Sequence, residues 1–173
     1  MSDRATSLHN NPWTGVFYVT GGGSELISEM LTTPGASRTV LEASVPYAAS
    51  ALAATLGRAP DQSCSAPTVR AMAMAAFQRA VALAPDTASA NLFGMSCTAS
   101  LATDREKRGR HRAHIALQTD SSTHFAEIDL RGDRVEEERQ LLDALWTFLL
   151  ALLDGQAAGA VAVRATRAED AWR

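Results

Sequence analysis

A β-type apolar run, Val16-Phe17-Tyr18-Val19, ends at Thr20 and breaks on Gly21-Gly22-Gly23 before Ser24-Glu25-Leu26 resumes with helical spacing. Three successive residues without Cβ let a backbone approach a ligand closely, and the first N–H groups of the following helix lack intrahelical partners. Those donors, with the positive end of the helix dipole, suit phosphate or another anion. The spacing is neither the P-loop G-x-x-x-x-G-K-[ST] nor the dinucleotide G-x-G-x-x-G. Gly21, Gly22, Gly23 and Ser24 are therefore candidate anion-binding residues. The structural alternative is a plain strand-to-helix turn in which Ser24 is a helix cap.

A second element offers complementary groups. The apolar segment 91–95 runs into small hydroxyl residues, among them Thr98 and Ser100, and then into a basic loop, Arg105-Glu106-Lys107-Arg108-Gly109-Arg110-His111-Arg112-Ala113-His114. This decapeptide holds five of the sixteen Lys and Arg and one acid, a local charge of +4 that leaves −7 on the rest of a chain whose net charge is −3. One basic loop on an acidic body points to a local anionic ligand rather than a broad nucleic-acid surface. The lack of aromatics interleaved among the arginines points the same way. Strand alternation sends neighbouring side chains to opposite faces, so two or three of the five cations can reach one ligand, with Arg105 and Arg108 as the candidates. The same alternation separates His111 from His114, and no metal site is expected.

These groups need a scaffold. At 173 residues, with 46% apolar and 20% charged residues, the chain has the length and composition of one globular domain with a real core. No apolar run approaches the roughly 18 residues that span a bilayer, and residues 1–11 lack the apolar region of a secretory signal. Cys64 and Cys97 stand alone, without C-x-x-C spacing. A cytoplasmic protein with no membrane contact, no nucleic-acid partner and no cofactor is the expectation, with a homo-oligomer as its assembly.

Hydrophobic periodicity and turn chemistry supply the elements. Residues 16–20 read as a buried strand and 24–31 as a short helix, followed by the turn Thr33-Pro34-Gly35-Ala36. Residues 38–45 are β-rich and close at Pro46; 48–56 form an alanine-rich helix stopped by Gly57; 68–84 form a long helix ending before Pro85. Residues 91–97 read as a strand, and 111–119 with 124–130 as an antiparallel pair around Asp120-Ser121-Ser122. Asp133 caps a last helix whose apolar face holds Leu141, Leu142, Leu145, Trp146, Leu149 and Leu152. The order β-α-β-α-α-β-β-β-α predicts a three-layer α/β/α sandwich with one mixed sheet of about five strands, spanning residues 12–153, with 154–173 as a C-terminal tail.

The chain resembles the C-terminal domain family of CinA, the nicotinamide-nucleotide amidase family, in a divergent branch. Five segments carry the resemblance in order across roughly residues 14–153. Pro34-Gly35-Ala36-Ser37 stands where the family has P-G-A-S, and Ser44-Val45-Pro46-Tyr47 in its V-x-Y-S-N region. Ser65-x-x-Thr68-x-x-x-Met72-Ala73 matches S-x-E-T-A-x-x-M-A, Gly94 to Ser100 replace V-T-G-I-A-G-P, and Gly132-Asp133-Arg134 match G-D-R. Aligned from Pro34-Gly35, the family's apparent nucleophilic serine falls on Thr20, its preceding acid on Val19 and its lysine on Leu52, while Tyr47 is kept.

The resemblance implies a pocket for a nicotinamide nucleotide or similar phosphorylated ligand. It would be built from Gly21, Gly22, Gly23 and Ser24, opposed by Thr98, Ser100, Arg105 and Arg108. A hydroxyl nucleophile needs a base or an electropositive neighbour at pH 7, and Leu52 removes the group the family would supply. Binding without amidase turnover is the expectation. Were deamidation retained, Thr20 would attack and Tyr47 would assist. The alternative function is a non-catalytic structural or regulatory module that docks an acidic partner through the basic loop 105–114.

Overall fold

A computed structural model describes residues 2–105, 109–153, 155 and 163–166. Its strands are β1 (Thr14–Thr20), β2 (Val40–Ser44), β3 (Leu92–Ser100), β4 (Arg112–Gln118), β5 (Thr123–Asp129) and β6 (Val163–Thr166). Its α-helices are α1 (Asp3–His9), α2 (Ser24–Leu31), α3 (Ala49–Leu56), α4 (Ala66–Leu83) and α5 (Arg134–Leu153). The strands form one mixed sheet in the order β2-β1-β3-β4-β5-β6. β2, β1 and β3 are mutually parallel, and β4, β5 and β6 continue antiparallel.

Strand alternation divides the core. Phe17 and Val19 of β1, with Phe93, Met95, Cys97 and Ala99 of β3, pack with α1, α2 and α5 through Leu8, Leu26, Leu145, Trp146 and Leu149. Val16 and Tyr18 turn the other way, against Leu52 of α3 and Met72, Ala76 and Ala80 of α4. The result is the expected α/β/α sandwich. β1, β3 and β4, buried along nearly their whole length, form its middle.

Helix ends follow local chemistry. Gly57 closes α3 in the left-handed conformation, with φ 78°. Ser65 caps α4, its Oγ accepting from the Thr68 N–H at 3.3 Å. At α5, the Asp133 carboxylate accepts from the Glu136 N–H and the Glu136 carboxylate from the Asp133 N–H, both at 2.9 Å. That reciprocal pair is a capping box.

Two elements exceed the sequence expectation. The polar start folds as α1, whose apolar positions Ala5 and Leu8 are both fully buried. Arg4 bonds Glu29 at 3.0 Å and Asp143 at 2.8 Å and lies 5.7 Å from the Trp146 ring, tying α1 to α2 and α5. Buried His9 links Thr39 Oγ1 and the Met30 carbonyl. The segment expected to be a tail contributes β6, which pairs with β5 from Thr123↔Thr166 to Ala126↔Val163 and makes the sheet six-stranded. No helix among the described residues is long and apolar enough to cross a membrane.

Two histidines make the fold sensitive to acid. His114 is 5% exposed, stacks on Phe125 at 5.9 Å and has no hydrogen-bond partner at either ring nitrogen. Burial pushes its pKa below the ordinary 6.5, and burial does the same to His124. With the folded pKa depressed, the unfolded chain binds more protons as pH falls through 6.5, so stability drops there and levels off below the folded value. Urea denaturation at about pH 8 and about pH 5.5 should show a loss at the lower pH, and His114→Phe should shrink that loss. An unchanged loss in the variant would contradict this account.

Candidate functional site

The course of the chain through the sheet creates a crevice. From β1 it runs into α2 on one face, while from β2, the neighbouring strand, it runs into α3 and α4 on the other. The loops leaving the carboxyl ends of β1 and β2 thus diverge to opposite faces, and open α/β sheets hold their ligands outside the carboxyl ends of their strands. A cavity of about 370 Å³ lies there, lined by Val19 of β1, Gly21 and Gly22 after it, Val45 and Tyr47 after β2, Ser24 and Glu25 of α2, and Arg134, Val135 and Glu138 of α5.

The glycine turn is shaped by packing. Gly21 (φ 77°) and Gly23 (φ 92°) adopt left-handed backbone that other residues resist, and a Cβ on Gly21 would sit 2.0 Å from the Ala99 carbonyl oxygen. Gly22 is not left-handed, but a Cβ there would meet Leu101 Cδ1 at 2.9 Å and Glu138 Oε2 at 3.1 Å. Gly23, rather than Ser24, occupies the cap position of α2, and Ser24 is the first helical residue. The turn therefore needs glycine for its own geometry.

The α2 N-terminus already holds an anion. The Glu138 carboxylate reaches over from α5 and accepts from the Gly23 N–H at 2.9 and 3.0 Å and from the Glu25 N–H at 3.4 Å. Arg134 lies beside it, donating from Nη1 to the Ala102 carbonyl at 3.0 Å and from Nη2 to the Gly21 carbonyl at 3.3 Å. Around the mouth, Val45, Tyr47 and Val135 are 45%, 65% and 62% exposed. Exposed apolar groups gathered on one cleft mark an interaction site more strongly than the same residues scattered. The cavity thus has a polar floor of carboxylate and backbone groups under an apolar collar.

The expected site residues separate into groups. Gly21, Gly22, Ser24 and Tyr47 line the cavity, and Gly23 shapes it through its N–H. Thr20 is buried and pairs in register with Thr98, and alternation from Val19 directs it to the α3–α4 face, away from the cavity. The Thr98 hydroxyl donates to the Ser63 carbonyl at 2.7 Å, which commits it to that side. Ser100, in the same alternation, stands opposite Arg112 across β3 and β4. Arg105 is exposed in a local turn in which the Thr103 hydroxyl donates to its carbonyl at 3.0 Å, and it does not line the cavity. Arg108 lies outside the described residues. Arg110 pairs with Asp129.

Among the described residues, no activated nucleophile faces the cavity. Leu52, at the family's lysine position, is core packing beside Tyr18. Cys97 lies under the turn, with its Sγ 3.4 Å from where a Gly23 Cβ would be, but burial, reinforced by the nearby Glu138 charge, pushes its thiol pKa far up. A thiol held protonated is a poor nucleophile. His111 and His114 fall on opposite faces, as their spacing requires: His111 bonds Glu137 of α5 and His114 stacks on Phe125.

Sequence reasoning missed Glu25, Val45, Arg134, Val135 and Glu138. Glu25, Val45 and Arg134 stood inside segments already singled out, Ser24-Glu25-Leu26, Ser44-Val45-Pro46-Tyr47 and Gly132-Asp133-Arg134, while Val135 and Glu138 carried no signal. Glu138 is one of three consecutive glutamates, and nothing in the run tells which of them faces the glycine turn.

No protein-family model matches the sequence, and comparison with curated proteins yields no match. Solved structures do match. The competence/damage inducible protein CihA from Agrobacterium tumefaciens superposes with a TM-score of 0.68 at 18% identity, over 86% of this chain and 90% of that one. A CinA-superfamily protein from Enterobacter cloacae gives 0.69 at 15% identity, over 86% and 87%. One from Escherichia coli gives 0.63 at 15%, over 88% and 93%. Agreement across nearly the whole length of both chains, at identities this low, makes this chain a bearer of the CinA-superfamily fold.

Proposed function

We propose that this protein binds a small nucleotide-like ligand in the cleft between the glycine turn and α5, without hydrolysing an amide. The observation that carries this reading is the cavity at the carboxyl ends of β1 and β2, where an apolar collar surrounds a few convergent polar groups, the usual make-up of a small-molecule site. The collar of Val45, Tyr47 and Val135 suits one face of a planar ring, and the floor supplies hydrogen-bonding groups. Amide hydrolysis needs a nucleophile within reach of the ligand and a group to deprotonate it. Thr20 faces away, Leu52 cannot act as a base, and Cys97 stays protonated.

The test pairs binding with turnover. Nicotinamide mononucleotide at about 100 times its Kd should stabilise the protein by about 2.7 kcal/mol, and Val135→Arg should remove that stabilisation. Thr20→Val should leave it unchanged. Ammonia release should be absent in both the parent and Thr20→Val. Turnover near the roughly 1–1,000 per second of ordinary enzymes would overturn the non-catalytic part. Undiminished stabilisation of Val135→Arg would overturn the location.

A further inference from the structure

The reading above leaves open which part of the ligand meets the glycine turn, and Glu138 answers it. A phosphate at the α2 N-terminus would need the Gly23 and Glu25 N–H groups, and the Glu138 carboxylate holds both. Two carboxylates, Glu25 and Glu138, line the cavity against one arginine, and Arg134 has spent donors on the Ala102 and Gly21 carbonyls. A dianion there would face like charge, with its best donors taken. Fixed N–H groups hold the Glu138 carboxylate in one orientation. A carboxylate has about four acceptor positions, so it keeps capacity toward the cavity it lines.

We infer that Glu138 is the specificity-determining residue of the cleft and selects a ligand with a vicinal diol, as in an unesterified ribose. This inference rests on the ligand-binding function proposed above. The paired oxygens of a carboxylate can accept from two adjacent hydroxyls, and an acidic residue already accepts from a ribose 2′-hydroxyl in dinucleotide-binding folds. The ring attached to the sugar then lies against Val45, Tyr47 and Val135. A 5′-phosphate adds nothing at the glycine turn, because its place is taken from within the chain.

The experiment measures, by calorimetry on the full chain, adenosine and nicotinamide riboside, each beside its 2′,3′-dideoxy form and its 5′-monophosphate. The dideoxy forms should bind at least about tenfold more weakly, since hydrogen bonds to a charged group are stronger than those between neutral groups. The monophosphates should bind no better than the nucleosides. Glu138→Gln should weaken the nucleosides toward the dideoxy values while leaving the dideoxy forms unchanged, a pattern that general damage to the turn would not give. Glu138→Asp, which keeps the charge, should recover part of the difference.

Equal binding of the nucleoside and dideoxy forms, still abolished by Val135→Arg, would overturn the diol assignment and leave the cleft as a site. Monophosphates binding more tightly than nucleosides would also overturn it, in favour of a phosphate that displaces Glu138. Failure of all six compounds to bind would overturn both the diol assignment and the binding function.

Discussion

Gly94→Ala is expected to abolish stable folding. Gly94 sits mid-strand in β3, where α4 crosses so closely that a Cβ would stand 2.2 Å from the Phe77 backbone nitrogen and 2.4 Å from the Ala73 carbonyl oxygen. Both neighbours are backbone, so no side-chain rotation relieves the clash. Helix and strand would have to part, opening the packing of Met72 and Ala76 on Val16 and of Val69 and Ala73 on Ala116. Losses above about 4–5 kcal/mol are exceptional for single substitutions and belong to mechanisms of this kind. Ordinary domains have only about 5–15 kcal/mol in hand. Far-UV circular dichroism with a urea titration decides the matter. A cooperative transition within about 1 kcal/mol of the parent would mean that α4 does not lie this close to β3.

Glu137→Ala should rank next, at about 1–3 kcal/mol for the buried donor it leaves unsatisfied, with the loss of the His111 bond in addition. Glu137 is fully buried, and its carboxylate accepts from the Ala102 N–H at 2.6 Å and bonds His111 Nδ1. Those contacts fasten the segment after β3, and the residue just before β4, to the first turn of α5. Alanine leaves the amide without its acceptor and the imidazole without its partner. Glu137→Gln keeps an acceptor for Ala102 and should recover much of the loss. If Glu137→Ala instead proves as stable as the parent in chemical denaturation, the pair contributes nothing to the fold.

The architecture was legible because its elements carry strong local signals. The run 16–20, the Gly57 stop and the Asp133 cap each tie residue type to backbone conformation directly. α1 escaped notice because seven residues with two apolar positions make no periodic stripe, and it is held by the distant partners Glu29, Asp143 and Met30. β6 escaped because an edge strand is defined by its neighbour, here β5.

The glycine turn was legible as a turn with free donors, but the group that meets those donors was not. Its anion comes from 115 residues away in the same chain, and no local pattern announces a carboxylate at that distance. Thr20 ends β1 and Thr98 lies beside it in register near the end of β3, yet strand alternation puts both on the other face.

The run Glu136-Glu137-Glu138 gives three adjacent carboxylates three unrelated tasks: closing the capping box, holding His111 and Ala102, and occupying the α2 N-terminus. Successive helical side chains point about 100° apart, so the three fit only one rotation of α5 about its axis. The run works as a key cut on three sides. Inserting one residue between Asp133 and Glu136 would turn every tooth out of its ward at once, whereas altering one glutamate spoils a single lock. Changes in length at this helix start should therefore be far rarer among working variants than changes in residue identity.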